Sequence, residues 1–388
     1  MSNLESLSLL LTSALTNTIS EIKTKEWPDI LNEMKNHAVF CIPYKNVMKS
    51  EISKEEKDSY RALCLQNIYN STRVLTVQNV LVSLLQNNKI PFVVIKGYSA
   101  AIYYDDPILR CMGDIDIMVS PTYYRQTYDL LCKHYKVIGD GHPRHASFLC
   151  SQGVEIELHK RFSYGEETEQ NKLLDEILYN GIDQAEYHNI NGESFPVLPA
   201  QENGLVLLYH IYQHMLIKGI GLRQIIDFRK YAEKNEHELN AFLSLAEKVS
   251  LRALAETLLF ICCDFLGLDS KVKLLCHQCD KNISDSLYRY IYRKGNFGVK
   301  DHQNDTNRIA NVMVNFRNPI KGLIQLQKYG RIHWKKTDKY WILRPFAWVY
   351  QINYYIRKNH SLKAIRVGTS SAIEESTVFN ALGIRKTH

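Results

Sequence analysis

The hydrophobic pattern of this chain changes period twice, and the change confines its readable strands to one internal block. Before residue 90 the pattern is helical: Val74, Val77, Leu81, Leu84 and Leu85 share one face, and Asn87-Asn88-Lys89 followed by Pro91 ends that helix. Phe92 to Ile95 is then a short β-branched run ending at Lys96-Gly97, which reads as a buried strand entering a turn. Residues 99–104 are expected as a short helix closed by Asp105-Asp106-Pro107, and Ile115 to Val119 as the next strand. Ser120-Pro121 supplies a cap, with proline at the first helical position, for a helix over about 122–133. Residues 136–138, 146–150 and 154–159 read as strands, the last two joined through Ser151-Gln152-Gly153. From about 199 the pattern is helical again, with 205–217, 222–232, 239–246 and 251–265 as segments.

A chain of 388 residues exceeds what one core usually serves. The expected organisation is α+β, a small mixed sheet with flanking helices between N-terminal and C-terminal helical regions. The units are 1–90, 91–198 and 199–388.

The chemistry concentrates in Arg110-Cys111-Met112-Gly113-Asp114-Ile115-Asp116-Ile117-Met118-Val119. Alternation along a strand puts Asp114 and Asp116 on one face. Two like charges that close repel unless something positive binds beside them, and a hard divalent cation with oxygen ligands answers that need. An arbitrary Asp-x-Asp is most often a solvated pair at a strand end, but this one sits in an apolar strand. The preceding strand ends in Lys96-Gly97-Tyr98-Ser99, an element suited to holding phosphates by backbone N–H groups. Gly113 would let the backbone pass close to a phosphate or adopt a turn that a side chain would obstruct. In Val154-Glu155-Ile156-Glu157-Leu158-His159 the acids alternate with apolar residues, so Glu155 or Glu157 could complete the site.

The run 94–119, with Ile95-Lys96-Gly97, Ala100-Ala101, Tyr104, Asp106-Pro107, Arg110 and Met112-Gly113-Asp114-Ile115-Asp116-Ile117, together with Ile156-Glu157-Leu158-His159, resembles the uncharacterised bacterial nucleotidyltransferases of the DNA-polymerase-β-like superfamily. The similarity continues less distinctly through Leu222-Arg223-Gln224-Ile225-Ile226-Asp227. It implies a polymerase-β-like core in which Asp114, Asp116 and Glu157 bind two Mg²⁺ ions and an NMP group passes from an NTP to a hydroxyl on a small molecule, a protein or an RNA end. The Glu-Leu-His match favours Glu157 over Glu155. Lys96, Gly97, Ser99, Arg110, Gly113 and Arg223 are the expected nucleotide contacts. Each has a plain alternative: Lys96 as a surface residue at a strand end, Arg110 as a tie to the Asp105-Asp106 turn, Arg223 paired with Asp227 one helical turn on. Gly97-Tyr98-Ser99 departs from the Gly-Ser or Gly-Gly of many superfamily members, which leaves the role of Ser99 open.

Two rival functions use the same acids: an Asp-x-Asp glycosyltransferase acting on a nucleotide sugar, which calls for a larger parallel sheet before the motif, and a non-catalytic nucleotide-binding module. The formal charge of +7 suits polyanionic substrates without requiring nucleic acid. Nine scattered cysteines favour reduced thiols in a cytoplasmic protein. No stretch reads as a signal peptide or a bilayer span. Cys276 and Cys279 have CxxC spacing without a clear second ligand pair, and His210 and His214 lie four apart without the glutamate of a zinc-protease motif. The basic, aromatic stretch 328–358 suits contact with an acceptor or a membrane surface, or a helix packed on the core with snorkelling cations.

Overall fold

The computed structural model describes residues 3–19, 24–140, 142, 144–165, 167–217, 219–302, 327, 330–331, 334, 336–350, 353 and 377–384. Seven strands form one mixed sheet: β1 (Phe92–Ile95), β2 (Ile115–Val119), β3 (Lys136–Gly139), β4 (His145–Leu149), β5 (Glu155–His159), β6 (Glu186–Ile190) and β7 (Glu193–Val197), in the order β3-β4-β5-β2-β1-β7-β6. β2 runs antiparallel to β1 and parallel to β5. Helices α1 (Asn3–Leu15), α2 (Trp27–Asn36), α3 (Tyr44–Lys49) and α4 (Lys54–Asn87) precede the sheet. α5 (Gly97–Ala101), α6 (Pro121–His134) and α7 (Glu169–Ile182) interrupt it, and α8 (Ala200–Ile217), α9 (Leu222–Lys234), α10 (Leu239–Lys248), α11 (Arg252–Leu266) and α12 (Lys281–Lys294) follow it. The architecture is the expected α+β arrangement. Helices rather than a larger parallel sheet precede the Asp-x-Asp strand, contrary to what the glycosyltransferase reading requires.

Period-two alternation divides the strand side chains between two apolar clusters. Phe92, Val94, Ile115, Ile117, Val119, Phe148, Ile156 and Leu158 pack against Val74, Leu81 and Leu85 of α4 and Leu131 of α6. Val93, Ile95 and Met118 join the second cluster, which takes in α8 to α12 and also Leu7, Trp27, Val47 and Tyr60 from the N-terminal helices. The first α-helices of the chain therefore pack on the last ones. α4 begins with a capping box in which the Glu56 N–H donates to Ser53 Oγ at 3.2 Å and the Ser53 N–H donates to Glu56 Oε2 at 2.9 Å.

The β6–β7 hairpin and α7 are additions to the expected elements. Asn191 and Gly192, at φ 52° and 88°, make the two-residue turn between the strands, both in the left-handed region that Asn-Gly tolerates. Among the described residues no helix is long and apolar enough to cross a membrane. All nine cysteines are free. Within the stretch 328–358, Trp334 stacks on Tyr350 with ring centroids 4.8 Å apart and Tyr340, Arg344 and Phe346 are exposed, whereas Tyr354 and Tyr355 lie outside the described residues.

One buried histidine joins the N-terminal helices to α9. The Leu222 N–H, at the start of α9, donates to His37 Nδ1 at 3.2 Å, and His37 is fully buried beyond α2. Burial, then the nearby Lys300 charge, push its pKa down to about 3. The unfolded chain takes this proton near pH 6.5 and the folded one only near 3, so stability falls as pH drops through that window, by up to about 1.4 kcal/mol per unit. His37→Asn keeps an acceptor without the titration. Urea denaturation should show wild type and variant converging in stability between pH 6.5 and 4.5, and parallel pH profiles would contradict this account.

Candidate active site

The parallel pairing of β2 with β5 sets Asp116 directly opposite Glu157, and Ile95 of β1 opposite Asp116 on the other side. Asp116 is 2% exposed, the one polar residue within a wholly buried strand. An ionised carboxylate there needs partners. Its Oδ1 accepts from Lys96 Nζ at 2.5 Å and lies 2.8 Å from His159 Nε2. His159 Nε2 is also 3.2 Å from Glu157 Oε2, and His145 Nε2 is 3.5 Å from Glu157 Oε1. Asp114, just ahead of β2, is exposed at the mouth. The carboxylate oxygens of Asp114, Asp116 and Glu157 lie within 4.8 Å of one another. Alternation left Glu155 and Glu157 on one face. The strand register sets Glu157, not Glu155, beside Asp116.

Lys96 reaches Asp116 from a sparsely populated backbone conformation, φ 55° and ψ −134°, at the end of β1. For a residue with a Cβ this costs about 1–3 kcal/mol. Burial alone would lower the Lys96 pKa, but the charges of Asp116, Glu157 and Asp114 outweigh it and hold the ammonium above its ordinary value. Burial would likewise raise Glu157, yet the hydrogen bond from His159 and the Lys96 charge hold it well below the usual carboxylate range. Asp114 is pushed up, chiefly by the Asp116 charge. Burial lowers His145 to about 4, so its ring is neutral near pH 7.

These side chains floor a cavity of about 490 Å³ whose lining includes Lys96, Gly97, Arg110, Gly113, Asp114, Asp116, Glu157 and Arg223. Three expectations change in the folded chain. Ser99 is fully buried, its Oγ 2.8 Å from the Lys96 carbonyl and 3.1 Å from Asn203 Oδ1, so it ties α5 to α8 instead of facing a phosphate. Arg110 touches the cavity, but its guanidinium fork is gripped by Asp227, Nε to Oδ1 and Nη2 to Oδ2, both at 2.7 Å. The Tyr104 hydroxyl donates to the same carboxylate at 2.7 Å. Arg110 is therefore a brace between the Asp-x-Asp loop and α9. It does not tie the Asp105 turn, which Lys230 and Lys234 hold at 3.2 and 2.9 Å. At Gly113 a Cβ would meet nothing within 4 Å, so no obstructed turn demands glycine there.

Because Asp227 is taken by Arg110, the Arg223–Asp227 pair does not form. Arg223 turns into the cavity, donating from Nη1 to the Cys111 carbonyl at 2.9 Å with its guanidinium 5.6 Å from the Phe297 ring centroid. His210 and His214 contribute to the wall from α8, and burial followed by the His214 charge holds His210 well below its ordinary value. Among the described residues the groups able to hold a metal are His145-Glu157-His159 and Asp114-Asp116-Glu157, and neither includes His210, His214, Cys276 or Cys279. Arg144, Gln213 and Phe297 line the cavity without having been anticipated. Arg144 and Phe297 lie in polar connecting segments with no periodic signal, and Gln213 hides in the helical pattern of α8.

A family model described as an uncharacterised nucleotidyltransferase matches residues 23–267, more than half of the chain. Among solved structures, the chain is similar to an antigenic nucleotidyltransferase-like protein from Paracoccidioides brasiliensis, at 14% identity and a TM-score of 0.29, over 45% of this chain and 88% of that one. No curated protein matches.

Removing one partner of the Arg110–Asp227 brace strands a buried charge. Asp227→Ala should lower unfolding free energy by about 3–5 kcal/mol in chemical denaturation. A change within about 0.5 kcal/mol, the size typical of an exposed surface substitution, would show that the brace has no structural weight.

Proposed function

The chain belongs to the uncharacterised nucleotidyltransferase family, and from that premise we propose that its cavity carries out Mg²⁺-dependent transfer of an NMP group from an NTP to a hydroxyl acceptor, with release of pyrophosphate. The observation that carries this reading is the gathering of Asp114, Asp116 and Glu157 within 4.8 Å, on two parallel strands and the residue just ahead of one of them. Three carboxylates make a hard, all-oxygen donor set, which fits Mg²⁺. When bound, such ions neutralise the triphosphate and stabilise the attacking and leaving oxygens of an in-line displacement at the α-phosphorus.

The remaining work falls to side chains of the chain itself. Asp116, clamped between Lys96 and His159, has its carboxylate orientation set before any ligand arrives. Glu157, held ionised, faces the cavity as an acceptor able to orient the incoming hydroxyl. Lys96 places a permanent positive charge beside the acids, and Arg223 brings a second cation from α9, so the acids come from β2, the residues just ahead of it and β5, while α8, α9 and Phe297 help wall the cavity. Nine free thiols support a reducing, cytoplasmic setting. All three acids are present, which favours catalysis over nucleotide binding alone.

Incubation of the purified protein with each radiolabelled NTP, Mg²⁺ and cell extract should label an acceptor, and the labelled species identifies donor and acceptor class together. Asp116→Asn should abolish the labelling while leaving the far-ultraviolet circular dichroism spectrum unchanged. Labelling retained in that variant would remove Asp116 from the chemistry.

A further inference from the structure

The cations of the cavity are not equally committed. Lys96 is engaged by Asp116 and Arg110 by Asp227. Arg144 is different. It is 3% exposed, its Nε has no hydrogen-bond partner, and among the described residues its guanidinium forms no ion pair. Its position is nevertheless firm: the Arg144 carbonyl accepts from the Lys160 and Arg161 N–H groups at 2.7 and 3.2 Å, and its guanidinium lies 5.6 Å from the Tyr164 ring centroid. A guanidinium stays charged inside a protein; Glu157 and Asp116 act on this one electrostatically without forming an ion pair with it, so its fork is left to take an anion from outside. Its planar fork matches the oxygens of a phosphate, and stacking on an aromatic ring orients that fork in advance.

We propose that Arg144, stacked on Tyr164, is a phosphate-binding subsite of the cavity. Resting on the nucleotidyl-transfer reading, its ligand is either the triphosphate of the NTP or a phosphate borne by the acceptor, which share this chemistry. Arg223, on the α9 wall, is then the second contact for the same polyanion.

The test is calorimetric titration of the full chain in EDTA with sodium tripolyphosphate, with each NTP and with a simple phosphate monoester. Arg144→Gln should weaken tripolyphosphate binding roughly tenfold to a hundredfold, and Arg144→Lys should recover only part of it, because lysine lacks the fork. A parallel loss with an NTP assigns the subsite to the nucleotide, and a loss confined to the monoester assigns it to the acceptor. Unchanged binding of every phosphate in Arg144→Gln overturns the proposal. Thermal melting separates a ligand role from a packing role: removing an unpartnered buried charge should hold or raise Tm, whereas a fall of several degrees would make Arg144 a structural residue and overturn the proposal as well. If tripolyphosphate binds through Arg144 but no nucleotide label is ever transferred, the subsite stands and the transferase reading falls. Label transfer with the binding of every phosphate indifferent to Arg144 gives the reverse.

Discussion

A carboxylate buried in the middle of a sheet is the constraint from which the rest of this site follows. Asp116 sits within a strand whose other residues are all apolar and buried, and a carboxylate in such a place needs the positive and polar groups that converge on it. That need accounts for the unusual backbone of Lys96, for the histidine two residues beyond Glu157, and for the parallel pairing that sets Glu157 alongside. Each of these would be a fault in an ordinary sheet. Together they make a negatively charged floor that is already oriented.

The cations around that floor have separate duties. Lys96 balances the acids. Arg110 anchors the loop carrying Asp114 to α9 through Asp227 and Tyr104, so the placement of Asp114 depends on a helix far along the chain. Arg223 and Arg144 face the space above the acids. The same arginine chemistry thus serves bracing where a carboxylate grips the fork, and leaves the fork facing the cavity where none does.

Much of this was legible before folding. β2 and β5 are readable because acids interrupt apolar runs at period two, and the resemblance in the segment 94–119 pointed to the right family. What escaped is long-range or rotational. Asp227 lies 117 residues from Arg110, and no local pattern joins them. Ser99 looked like a phosphate contact by its closeness to Lys96-Gly97, but the positive φ of Lys96 redirects the chain and the serine turns inward to Asn203. Arg144 has no periodic context, and its lack of an acidic partner exists only in three dimensions. The β6–β7 hairpin is the opposite case. Ile190-Asn191-Gly192-Glu193 carries a strong local turn signal, within a stretch between 160 and 198 where no element was expected.

The pairing of β2 with β5 has a bearing on how such a chain can diverge. Between these strands runs an excursion of one helix and two further strands, and α8, α9 and the turn bearing Phe297 wall the cavity from elsewhere. Loops in the excursion can lengthen or shorten without disturbing the acids, whereas one residue inserted in β5 ahead of Glu157, or in β2 ahead of Asp116, would turn that acid to the opposite side of the sheet. The acidic floor thereby stands as an indivisible unit. On the proposed function, the walls could change substrate preference while the acids stay in place.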